Sequence, residues 1–129
     1  MGEIATISFS DKTHRILVHK SLLRGLKMPQ YIRFLLNKKS RCIAVQACDP
    51  VDRDIFKVPE MKADDSYEIS SAGFVAFVYK LAEWDKEKSY RIEGTFYPGN
   101  RLAEFDLSRA WTIAPEQFTD NEEEPFRME

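Results

Sequence analysis

Apolar and polar positions alternate over residues 3–10 (EIATISFS), the period of a strand with one buried face. Residues 11–13 read as a turn, and residues 15–19 (RILVH) are extended and rich in branched aliphatics. The period then changes. Leu22, Leu23 and Leu26 fall at helical spacing and predict a short helix over residues 20–26, weakened by Gly25 and closed by Pro29. Two apolar runs, 31–36 and 41–47, flank Asn37-Lys38-Lys39-Ser40 and read as a hairpin. A polar connector over residues 49–65 contains Pro50 and Pro59, with room for a short strand near 54–58.

The pattern then begins again. Residues 67–69 are extended, and Ser70 or Ser71 caps a helix that runs to about Trp84. Its predicted apolar stripe is Phe74, Phe77, Val78 and Leu81, with Tyr79 off it. Strands over 90–97 and 101–107 enclose Pro98-Gly99-Asn100 as a second hairpin. The two halves share this order, each first hairpin strand opening on a Tyr (Tyr31, Tyr90) and each second on an Arg (Arg41, Arg101). The expected fold is therefore α+β. Two βαββ-like repeats, about 13–48 and 67–108, are joined by a connector over 49–66 and pack with pseudo-twofold symmetry, mainly through antiparallel strands. They form a single globular domain over residues 1–114. Its expected core is Leu23, Leu26, Ile32, Phe34, Ile43 and Val45 with Phe74, Phe77, Leu81, Ile92, Phe96 and Phe105.

Charge changes this picture more than composition does. At 129 residues, 43% hydrophobic and 31% charged, the chain is that of an ordinary folded domain, and no apolar run approaches the roughly 20 residues that span a bilayer. Without an export signal at its start, it is expected in the cytoplasm with no membrane partner. The net charge of −2 hides an asymmetry: residues 1–60 carry 11 Lys and Arg against 6 Asp and Glu, and residues 61–129 carry 8 against 15. No acidic residue occurs between Asp11 and Asp49. A basic first half points to duplex DNA or another polyanion, or to an acidic protein, unless the acidic second half neutralises it internally. Residues 115–129 read as an acidic tail with two roles open to it: a solubilising, mobile end, or a strap that Phe118 and Phe126 anchor across the basic face. Oligomeric state is left open by the sequence.

Sites of chemistry are scarce. No phosphate-binding Gly-rich loop, metal-binding His pair, Cys pair at redox spacing or nucleophile elbow occurs. Cys42 and Cys48 lie about 20 Å apart if residues 41–48 form one strand, too far for a disulfide or a shared metal. They read as small buried hydrophobes in a reducing compartment. His14 and His19 point to opposite faces of an extended segment and read as partly exposed structural residues. Asp49, Asp52 and Asp54 fit a solvated turn better than an acid–base cluster. The expectation is a protein that is not an enzyme, with no catalytic residues, no metal site and no cofactor.

The first half resembles the swapped-hairpin, AbrB-like domains of bacterial transition-state regulators and antitoxins. The matching residues are Arg15-Ile16-Leu17-Val18, then Leu22-Leu23 with Leu26, then the hairpin over 31–47. His19 stands where the family has Pro, and Pro29-Gln30 where its hairpin opens on Gly-Asp. The resemblance implies a fused pseudodimer that regulates transcription, binding DNA through Lys12, Arg15, Lys20 and Arg24. The second half has Glu68, Ser70 and Ala72 in the corresponding region. Two readings follow: a nucleic-acid-binding regulator using these four bases, and a non-enzymatic protein-interaction module. Clustering of the four on one surface favours the first. Interleaving with Glu68, Asp85, Glu93 and Glu104 favours the second.

Overall fold

The computed structural model describes residues 3–51, 53–59 and 66–118. Strand β1 (Ala5–Ser10) turns into β2 (Arg15–Val18), followed by the short helix α1 (Lys20–Gly25). The hairpin β3 (Tyr31–Asn37) and β4 (Cys42–Ala47) comes next, then the two-residue β5 (Phe56–Lys57). After β6 (Tyr67–Ser70) and helix α2 (Ala72–Ala82) come β7 (Ser89–Tyr97), β8 (Leu102–Asp106) and β9 (Trp111–Ile113).

These strands build one antiparallel sheet in the order β5-β3-β4-β8-β7-β1-β2-β6, with β9 added against β7. The sheet curls into a half-barrel, so the chain belongs with the all-β proteins rather than the expected α+β class. Two observations overturn the description as paired βαββ repeats. Among the described residues only α2, with 11 residues, is a substantial helix, while α1 has 6. The spine of the sheet, β1 against β7, has no place in either unit, because β1 lies outside both. The two hairpins do share one local device: four-residue connections that end on Arg41 and Arg101 at positive φ of 57° and 56°.

The all-β character follows from β1. It pairs with β2 on one edge and β7 on the other, and all six of its residues are buried. Ala5, Ile7 and Phe9 join the hydrophobic core, while Thr6, Ser8 and Ser10 are buried polar residues on the opposite face. Polar–apolar alternation therefore marks two covered faces here, not one wet and one dry. Of the expected core, Leu23, Leu26, Ile32, Ile43, Val45, Ile92 and Phe105 are buried, and Phe34, Phe74, Leu81 and Phe96 pack partly buried against them. The α2 stripe is rotated. Val75, Val78 and Tyr79 face the core, while Phe77 is only half-buried. Ser71 occupies the N-cap position but makes no side-chain capping bond.

Candidate interaction surfaces

The turn after β1 and the start of β2 place Lys12 and Arg15 on the wall of a depression of about 420 Å³. Its other walls are Glu68 from β6, Glu87 ahead of β7, and Ile113, Pro115 and Phe118 from the chain beyond β8. Lys12 Nζ lies 3.4 Å from Glu87, and Arg15 donates to Glu68 at 3.0 Å. A second depression, about 440 Å³, lies at the other end of β1 between α1, β7 and β9. It holds Lys20 and Arg24, together with Ile4, Arg91, Trp111, Glu3 and Glu93. Arg24 lies 3.6 Å from Glu3.

The four bases singled out from the sequence are thus divided between two sites, and carboxylates stand among them in both. Of the carboxylates expected to interleave, Glu68 pairs with Arg15 and Glu93 lines the depression of Lys20 and Arg24, whereas Asp85 lines neither depression and Glu104 borders a separate one with Asp106 and Arg109. Such exposed pairs contribute about 0–1 kcal/mol each to stability, but they flatten the local positive field that a polyanion would meet.

Between the two depressions runs the polar face of β1. Arg91 sits opposite Ser8 in the β1–β7 register, and its Nε donates to Ser8 Oγ at 2.9 Å. The same Oγ lies 2.8 Å from His19 Nε2, with Ser8 and His19 both fully buried. His19 is therefore a core residue and not the partly exposed one the sequence suggests. Its φ of −69° is one that proline adopts, but its N–H donates to Thr6 O, a bond proline lacks. Arg91 Nη2 also donates to Gln117 O at 2.7 Å, fastening the chain beyond β9 to the sheet. Buried between an imidazole and a guanidinium, the Ser8 hydroxyl has no side open to a substrate. Its role is to satisfy both neighbours. Replacing Ser8 with Ala should cost about 1–3 kcal/mol by removing a shared partner from two buried or half-buried groups. Chemical denaturation measures this, and an unchanged midpoint would show that the network is dispensable.

Trp111, Arg91 and Ser8 are absent from the sequence-based candidates. The three-residue β9 is too short to announce itself by periodicity, and a serine in an alternating strand looks solvent-facing. The remaining candidates stay apart. Cys42 and Cys48 are free thiols, Asp49 lies 4.0 Å from Arg101, and Asp52 is outside the described residues. No group of three or more His, Cys, Asp or Glu among the described residues is placed to hold a metal ion. Among the same residues, no helix is long and apolar enough to cross a membrane. The acidic tail lies outside the described residues from position 119 onward.

Fold and surfaces together define an antiparallel β half-barrel with two mixed-charge depressions flanking a buried polar strand face. No protein-family model, curated protein or solved structure matches the chain.

Proposed function

We propose that this chain is a non-enzymatic protein-interaction module that docks a partner at the depression around Ile4 and Trp111. The observation that carries the reading is the surface chemistry there. Trp111 is 43% exposed and Ile4 57%, and both line one depression together with Lys20, Arg24 and Arg91 and with Glu3 and Glu93. An accessible aromatic and an aliphatic ringed by charges of both signs is the composition of a protein interface, where Trp and Arg supply most hot spots. A phosphate backbone has no use for the apolar pair and meets a carboxylate beside Lys12, Arg15 and Arg24. Two free cysteines support a reducing, cytoplasmic setting for this role.

Titration with mixed-sequence duplex DNA across a salt series tests the reading, with the Arg15→Ala, Arg24→Ala double variant alongside. The expected log–log salt slope is shallower than about −1.8, the value for two phosphate contacts, and the double variant should leave it unchanged. A slope near −3.6, as for four contacts, that falls in the double variant would return the function to DNA binding. A photo-reactive residue at position 111 supplies the positive arm. It should give protein adducts that the unmodified chain competes away, while the same group at exposed Val51 gives none.

A further inference from the structure

Strand β3 is seven residues long, but its outer edge is covered for only two of them. The two-residue β5 pairs with Tyr31 and Ile32 and then leaves the sheet. Asp54, two residues before β5, has a φ of 54°, a left-handed conformation that cannot continue a strand. The edge of β3 from residue 33 to residue 37 therefore pairs with nothing among the described residues, while its other edge is fully paired with β4. An open edge of this length is a template for one more strand.

The side chains along it are unlike those of a protected edge. Ile32 is fully buried, Phe34 is half-buried, and Leu36 on the same face is 36% exposed. On the opposite face Leu35 is also 36% exposed. Cover on the strand thus thins towards the hairpin, leaving two neighbouring leucines open on opposite sides of an unpaired backbone. A strand laid alongside would shield both.

Charge decides what kind of strand. Arg33, Lys38 and Lys39 lie on this stretch and its hairpin. Arg33 donates to Gln46, and Lys38 sits 5.7 Å from the centre of the Phe77 ring. Among the described residues none of the three has a carboxylate within ion-pair distance, in contrast to Lys12, Arg15 and Arg24 in the two depressions. Positive charge without carboxylate partners among the described residues thus stands beside backbone groups of β3 that those residues leave unbonded. Two copies of this edge would bring like charges together, so self-pairing is disfavoured.

We infer that the open edge of β3 binds an extended acidic peptide of a partner protein by strand addition, with apolar residues of the peptide covering Leu35 and Leu36 and its carboxylates meeting Lys38 and Lys39. Main-chain bonds supply affinity in this mode and the flanking side chains supply selection. The inference rests on the reading of the chain as an interaction module but uses a surface separate from Trp111.

The experiment uses the full chain and a capped seven-residue peptide of alternating glutamate and valine. Binding is read by anisotropy and by amide hydrogen exchange. The expected result is slowed exchange over residues 33–37 and an affinity that falls at least tenfold in Lys38→Glu, Lys39→Glu. Methylating alternate backbone nitrogens of the peptide should abolish binding, as should replacing its glutamates with lysine. Trp111→Ala should leave binding unchanged, so that failure at the depression and failure at the edge are read separately. Unaltered exchange over residues 33–37 overturns the inference. So does equal binding of the methylated peptide, or its displacement by duplex DNA with no contribution from Leu35→Asp, because either result reduces the edge to a generic site for negative charge.

Discussion

Tyr79→Ala is expected to lower the free energy of unfolding by about 3–5 kcal/mol, the usual cost of deleting a large buried aromatic. Tyr79 is almost wholly buried on the core face of α2. Its ring meets Trp84 edge-on at 5.1 Å and Tyr90 at 5.7 Å, and Trp84 stacks on Tyr90 at 4.3 Å. Phe9 of β1 closes the group at 5.9 Å from Trp84. The cluster ties the end of α2 to the two central strands. Its polar end is as confined as its ring, since the hydroxyl lies 2.5 Å from Lys88 O and 3.2 Å from Phe9 O. Tyr79→Phe keeps the ring and removes the donor, and should cost about 1–3 kcal/mol. Denaturant titration of both variants separates packing from hydrogen bonding. Equal losses in the two would mean that the ring contributes nothing beyond its hydroxyl.

The same residue sets a limit at high pH. Burial pushes the Tyr79 hydroxyl well above the usual tyrosine value of 10.0. A group that holds its proton more tightly when folded contributes stability that is complete below the unfolded value and lost as pH rises beyond it. Wild-type stability should therefore decline above about pH 10, as the unfolded chain ionises Tyr79 and the folded chain does not. The decline should be shallower in Tyr79→Phe, and identical slopes would assign it to other groups.

Gly94→Val should cost about 3 kcal/mol or more, at or beyond the upper end of the usual overpacking range. Gly94 is the last β7 residue paired with β1, and the next residue, Thr95, pairs with β8. A Cβ at position 94 would lie 2.3 Å from Glu104 O and 2.6 Å from the Phe105 ring. Phe105 is fully buried and Glu104 O is backbone, so neither can move aside cheaply. The glycine lets β8 approach closely where β7 changes partners, the usual place for one in a curled sheet. Even Gly94→Ala should lower the melting temperature, whereas Gly73→Ala, with open space around its Cβ, should not. A tolerated Gly94→Val would mean that β7 can bend by another route.

The local elements were legible in the sequence because each carries its own period or turn chemistry. Both hairpins, both helices and even the short strand near Phe56 stand where alternation and the Asn37–Ser40 and Pro98–Asn100 connections place them. The class was not legible, because it depends on which strands pair across the chain. Nothing in EIATISFS signals that its serines and threonine are covered by Arg91, His19 and the chain beyond β9. The same alternation describes a surface strand. Similarity between the halves carries no information on β1, which neither half contains. Tyr79 was misplaced because a helix with Phe74, Val75, Phe77, Val78, Tyr79 and Leu81 is apolar around most of its circumference, and tertiary packing chooses the face. The candidate bases were visible as residue types. Neutralisation was legible as a possibility, with Glu68 among the named carboxylates, but Glu87 beside Lys12 and Glu3 beside Arg24 were not, because each is brought there by pairing across the sheet.

The pairing of β1 with β7 also governs when the molecule can take shape. Ser10 meets Ser89 and Ala5 meets Gly94 in that ladder. During synthesis β1 must therefore wait for nearly eighty further residues before its second neighbour exists, roughly 4 to 16 s at ordinary rates. During that interval β1 has β2 as its one strand partner and α1 packed against it, while the edge that β7 will cover stands open. Long-range pairing of this kind slows folding and exposes apolar strand surface to other chains. The timetable of synthesis, as much as the finished contacts, sets how often a newly made copy goes astray.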